Sequence, residues 1–249
     1  MSQKKQDIVW KENIPNGLQR TGENEAIDLL REYFAVNNEG FPFRSGAMFG
    51  HLSPESTETD EFTFRDINEV SMLSINISGS NSLRLTSSFN REETKEIWQS
   101  LSKIKKDVPF ANTSGEIGDP NIDALYKLYD RLDKIKGLGQ TSISKLLAVK
   151  RPRLAPVVDS WIKRELFKEG DVDKLWYSTF NRELHKYLNA KLDGETNAEW
   201  LDRLKSKALE PVQSENDPSK NLESMSTIRI FDVIVWMSHL KRREAESGT

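Results

Sequence analysis

Residues 137–166, GLGQTSISKLLAVKRPRLAPVVDSWIKREL, place a glycine hairpin, a run of cations and one acid in a single short unit. Gly137-Leu138-Gly139 can turn sharply and present backbone N–H and C=O groups to a phosphate, because glycine accepts positive φ and close approach. Before the hairpin, Asp119-Pro120 is a helix start, with an acceptor at the cap and proline in the first turn. Ile122, Leu125, Leu128, Leu132 and Ile135 recur after it on one helical face until Gly137 stops the helix. A second helix carries Ile143, Leu146 and Leu147, so residues 119–149 predict helix, hairpin, helix.

Helical periodicity continues outward in both directions. Amphipathic helices are expected at Ala26 to Phe34, Leu175 to Leu192, Ala198 to Leu209 and Met225 to Leu240. Asn90 with Glu93 reads as a capping box before Ile97, Trp98, Leu101 and Ile104. Ile67, Val70, Leu73 and Ile77 suit a helix better than the alternation within Met72 to Ile77 suits a strand. Gly40 to Glu61 mixes aromatics, glycines and polar residues and reads as a loop with a short strand or hairpin. Pro211 to Lys220 reads as a polar linker, and Met1 to Gln6 and Arg243 to Thr249 as frayed ends. The fold class is mostly α, with a small irregular or β-containing N-terminal insertion. Two lobes are expected, residues 1–118 with the loop 40–61 and residues 119–249 with the hairpin, packed as one globular unit.

At 249 residues and 36% hydrophobic content the chain can bury a sizeable core. It has no long apolar run and its N-terminus lacks the apolar stretch of a secretory signal, so a cytoplasmic protein without a membrane span is expected. The absence of cysteine excludes disulfides, thiolate zinc sites and cysteine-ligated iron–sulfur clusters. A net charge of −3 argues against general coating of DNA, but the charge is unevenly distributed. Between Thr141 and Lys168 stand Lys145, Lys150, Arg151, Arg153, Lys163, Arg164 and Lys168 against Asp159 and Glu165 alone. Such a segment reads either as a footprint for a polyanion or as a solvated charged face.

Asp159 follows Pro156-Val157-Val158 and precedes the helical run Ser160 to Leu166, which is the position of an N-cap. It is equally the acid that the hairpin would bring to a nucleic-acid backbone. Phe41, Phe43, Arg44 and Phe49 offer rings to stack on a base and a donor for its edge, or core side chains. Trp161 either packs beneath the hairpin or lines the same pocket. Arg229 and Asp232, three apart in an apolar helix, read as a structural buried pair. His51, His185 and His239 match no metal-ligand spacing, and only His51 lies in a glycine-rich loop where a site is conceivable.

Gly137-Leu138-Gly139, then Leu146-Leu147-Ala148, then Val158-Asp159-Ser160 resembles the helix-hairpin-helix DNA glycosylase superfamily, over roughly Asp119 to Phe167. Phe62-Thr63 through Ile77, Leu146 through Asp159, and Ile228-Arg229 through Asp232-Val233 to Trp236-Met237 also resemble an uncharacterised, largely actinobacterial protein family. The first resemblance implies a glycosylase-like helical fold with Asp159 as the catalytic carboxylate. It also implies a phosphate grip by Gly137, Leu138, Gly139, Gln140 and Thr141, with a structural Na or K at the backbone of Gly137 and Gly139. Lys145, Lys150, Arg151 and Arg153 would hold flanking phosphates, setting affinity and register. Members of the superfamily that also cut the backbone carry a lysine where this chain has Thr141, and Lys145 lies one helical turn later. The implied chemistry is therefore monofunctional, with no other cofactor.

Excision requires the nucleotide to leave the stack, and a carboxylate then stabilises the positive charge that develops on the sugar while it orients or deprotonates water. The expected partner is DNA with a modified base, either an alkylated or deaminated base in repair or a glucosylated hydroxymethylcytosine-type base of phage DNA in antiviral defence. A non-catalytic nucleic-acid-binding module, with Asp159 only capping its helix, is the alternative. A metal-dependent nuclease is disfavoured because no acidic ligand cluster is recognisable.

Overall fold

A computed structural model describes residues 9–12, 14–50, 59–86, 92–172, 176–210 and 220–248. Among these residues the chain is mostly helical, with eleven α-helices and one two-stranded hairpin. The helices are α1 (Glu23–Phe34), α2 (Phe64–Ser71), α3 (Gly79–Leu85), α4 (Glu92–Leu101), α5 (Pro120–Asp133), α6 (Gln140–Lys150), α7 (Ser160–Leu166), α8 (Glu169–Val172) and α9 (Tyr177–Asn189). The strands β1 (Lys191–Leu192) and β2 (Glu195–Thr196) follow, then α10 (Asn197–Ala208) and α11 (Thr227–Ser247). No helix among the described residues is long and apolar enough to cross a membrane.

The expected helix, hairpin, helix is present. Asp119 caps α5 by accepting from the amides of Asn121 and Ile122, and Gly137 turns the chain at φ +91°. A side chain there would be strained and would bring a Cβ within 3.1 Å of Asn81 Nδ2, the group that donates to the Lys136 carbonyl. The helix expected through Ile77 instead ends at Ser71, and Ser74 takes the left-handed conformation at φ 59°. The helix expected through Leu192 ends at Asn189, because Asp193-Gly194 with positive φ at both residues makes the turn between β1 and β2. At the other end α11 continues through the segment expected to fray, as far as Ser247. Asn90, His51 and most of the polar linker lie outside the described residues.

Packing crosses between residues 1–118 and residues 119–249. The first helix, α1, lies against α10 and α11, whereas α2 packs on α6 and α4 on α5. One apolar core runs through both groups. At its centre, α6 is buried continuously from Ile143 to Lys150, so its side chains meet protein on every side.

That placement overturns two expected phosphate contacts. Lys150 and Arg151 are fully buried. Lys150 Nζ lies 3.4 Å from Asp66 Oδ2, while the same oxygen accepts from the Thr63 amide at the start of α2. Burial lowers the pKa of Lys150 and raises that of Asp66, and each partner's charge opposes the other's shift. Arg151 donates to the carbonyls of Leu101 and Ile104 and to Asp60 Oδ1, which ties the end of α4 to the end of α6. Of the four cations expected to hold phosphates, Arg153 alone is exposed. Lys150→Met, which leaves a buried carboxylate without its charge partner, is expected to cost about 3–5 kcal/mol and lower Tm by roughly 10 °C. Arg153→Ala should change unfolding by less than about 0.5 kcal/mol, and thermal unfolding of both variants checks the contrast.

Candidate functional site

The segment carrying Asp159 is fixed to α6 by one buried hydroxyl. Ser144 Oγ accepts from the Val158 amide at 3.0 Å, and its hydrogen is shared between the Thr141 carbonyl at 3.1 Å and the Val158 carbonyl at 3.2 Å. The Tyr177 hydroxyl donates to the Pro156 carbonyl from the other side. With the chain held in this way, Asp159 becomes the N-cap of α7, and its Oδ1 accepts from the amides of Trp161 at 3.0 Å and Ile162 at 2.9 Å. Oδ2 takes no part in the cap and lies 3.8 Å from Lys145 Nζ. The capping and functional readings of Asp159 are therefore compatible, because they use different oxygens.

Lys145 is 5% exposed and donates to the Leu73 carbonyl at 2.9 Å, so it faces the cleft as an ion-pair partner of Asp159. Burial lowers its pKa, against the pull of Asp159 and Asp232. The non-helical segment after α2 is what brings the Leu73 carbonyl within reach.

Asp159 and Lys145 open into a cleft of about 540 Å³ that Thr141, Phe43, Arg44 and Trp161 also line. Trp161 stacks on Trp236 with centroids 5.2 Å apart, so it is a wall held by α11. Arg44 pairs with Glu32 at 2.9 Å and lies over the Trp236 ring at 5.7 Å. Phe43 is 64% exposed at the rim. The other two expected pocket residues stand elsewhere. Phe41 is 65% exposed on a tight loop closed by the Val36–Pro42 bridge, and it does not line the cleft. Phe49 is buried and packs under Arg229.

Arg229, Asp232 and Tyr33 form the cleft's inner wall. Arg229 Nη1 bonds Asp232 Oδ2, and Nη2 donates to the Tyr33 hydroxyl at 2.8 Å and to the Gly46 carbonyl at 3.1 Å. A Cβ on Gly46 would lie 2.2 Å from the Tyr33 hydroxyl, so this close approach requires glycine. The structural pair expected from spacing is thus present, but it lines the cleft.

The hairpin leaves Gly137 and Gly139 exposed and Leu138 buried as its anchor. Gly139 is the N-cap of α6 and supplies no side-chain acceptor, so the first-turn amides beyond it are not capped by that residue. Gln140 is bonded by Lys163 from α7. Lys134 and Lys136, which precede the turn, are exposed. The hairpin carbonyls fit a monovalent cation in part. Those of Ile135, Lys136 and Gly139 accept from Leu138, Asn81 and Ile143, leaving Gly137 and Leu138 to face one among the described residues. No group of three or more His, Cys, Asp or Glu side chains that could hold a metal occurs among the described residues.

Sequence spacing alone did not identify Ser144, Tyr33 or the Leu73 carbonyl as parts of this arrangement. A serine inside an otherwise apolar helical run, facing Val158 fourteen residues on, was the available signal for the first.

No curated protein and no solved structure matches the chain. A family described as of unknown function, DUF6308, matches residues 26–239, from α1 to the last buried turn of α11, and the chain belongs to that family.

Proposed function

We propose that the protein is a monofunctional DNA glycosylase that releases a modified base, with Asp159 as its catalytic carboxylate. The observation that carries the reading is the division of labour at Asp159: Oδ1 is spent on the α7 cap, while Oδ2 faces a cleft beside an exposed glycine hairpin. Breaking the glycosidic bond leaves positive charge at the anomeric carbon, and a carboxylate fixed in place stabilises it without reorganising. The same oxygen can accept a proton from the attacking water. Lys145 keeps the carboxylate directed into the cleft.

The amides at the start of α6 suit a phosphate of the flipped nucleotide, and Lys134 and Lys136 extend that grip along the backbone. Trp161 offers a wall for the extruded base, with Phe43 and Arg44 at its edge. A cleft of about 540 Å³ lies in the range that holds drug-sized ligands, which favours a base with a bulky substituent over a bare pyrimidine. A glucosylated hydroxymethylcytosine-type base of phage DNA fits that class and would make the protein a defence factor, with an alkylated or deaminated base as the repair alternative. The second reading, a non-catalytic nucleic-acid-binding module, is favoured by the two amides that Asp159 already caps.

Asp159→Asn separates the two readings, since asparagine caps almost as well but provides no carboxylate. On a panel running from damaged oligonucleotides to phage DNA with modified cytosines, the wild type should leave alkali-labile abasic sites on one substrate. The variant should form them at least about a hundredfold more slowly while still folding, at some cost in stability from the buried Lys145 it leaves without this partner, and still binding DNA. Equal rates, or intact DNA throughout despite binding, would replace the enzyme by the module. Lys136→Ala should weaken DNA binding uniformly across sequences and reduce the slope of log Kd against log salt by about one. An unchanged slope would remove the hairpin lysine from the interface.

A further inference from the structure

We infer that Asp232 is a second catalytic residue, the acid that donates a proton to the departing base while Asp159 faces the sugar. The inference rests on the glycosylase reading and gives a role to a pair that spacing alone assigned to structure. Three observations on the wall of the cleft carry it.

First, Asp232 is 3% exposed yet lines both the cleft and a second cavity of about 430 Å³, as Val157 and Arg229 also do. A carboxyl group in this wall can meet a ligand in the cleft while bulk water is kept away. Second, its pairing is one-sided. Arg229 Nη1 engages Oδ2 only, Oδ1 accepts no hydrogen bond among the described residues, and the buried Nε of Arg229 meets no acceptor there. A purely structural pair in such a position would be expected to engage both oxygens in a fork. Third, the surroundings favour a proton on this group. Burial raises its pKa to about 6 with Asp159 adding to the shift, while Arg229 and Lys145 pull it down. Tyr33 and Arg44 also line the cleft, and Arg153, Asp202 and Lys205 line the second cavity.

The step balances with these groups alone. As the bond between C1′ and the base nitrogen breaks, its electron pair goes to the base, which takes the proton from Asp232. The new Asp232 carboxylate is met at once by the Arg229 guanidinium. Water adds its oxygen to C1′, and its proton passes to Asp159. Return of that proton to Asp232 through solvent resets the site. Two carboxyl groups in one cleft, one beside a lysine and the other buried against an arginine, are thereby divided into base and acid.

The test is single-turnover base release against pH on DNA containing glucosylated hydroxymethylcytosine, for wild type, Asp232→Asn and Asp232→Glu, with folding checked by thermal unfolding. The wild-type rate should fall about tenfold per pH unit above roughly pH 6, as the proton on Asp232 is lost. Asp232→Asn should lower the rate at pH 6 at least about a hundredfold and remove the alkaline fall. Asp232→Glu should keep the fall with its midpoint displaced, and it serves as the test if the asparagine variant does not fold. A folded Asp232→Asn enzyme with the wild-type rate and pH profile would overturn the inference while leaving the glycosylase reading intact. So would a glutamate variant without an alkaline fall. If the wild type releases no base from this DNA or from any other of the panel, both fall together.

Discussion

The two-way hydrogen bond between the Ser144 hydroxyl and the peptide groups of Val158 is the constraint on which the site depends. It fixes the chain leaving α6 at a set distance from that helix, so the cap of α7 forms where Asp159 Oδ2 can reach Lys145. The hydroxyl is fully buried, where neither peptide group could turn to water instead. Hairpin, central helix and acid are thus tied together through contacts of α6.

Charge in the core follows the same logic. The central helix carries Lys145 and Lys150, and both are drawn inward to carboxylates, Lys145 to Asp159 at the cap of the next helix and Lys150 to Asp66 on the distant α2. Lys150 locks α2 to α6 and Arg151 locks the end of α4, so cations that look like a polyanion footprint in the sequence act as pins. In the cleft the alternation continues, with Lys145, Asp159, Asp232 and Arg229 placing two cations among two acids. The exposed cations near the site are instead Lys134 and Lys136, at the hairpin.

What the sequence made legible and what it hid have distinct physical causes. Asp119-Pro120 and Gly137-Leu138-Gly139 act on their own neighbours, through capping and positive φ, and the structure follows them closely. The acid at 159 was legible for the same reason, as a polar residue at the start of a helical run. Burial of Lys150 and Arg151 was not legible, because it depends on α2 and α4 closing over them. The helix expected through Leu192 stops just short of Asp193-Gly194, and its last two residues, Lys191 and Leu192, pair as a strand across that turn instead. Arg44 and Trp161 meet in one cleft because α11 supplies Trp236 as the surface they both lie on, a contact between parts of the chain far apart in sequence.

The central claim is that Asp159 faces a developing positive charge on a sugar. Its most direct test compares DNA carrying a pyrrolidine, with a protonated ring nitrogen at the position of the anomeric carbon, against DNA carrying the neutral tetrahydrofuran ring at the same site. A carboxylate in that position predicts that the wild type binds the charged ring at least about a hundredfold more tightly, and that Asp159→Asn loses the preference while still binding the neutral one. Equal affinity of the wild type for the two rings would contradict it.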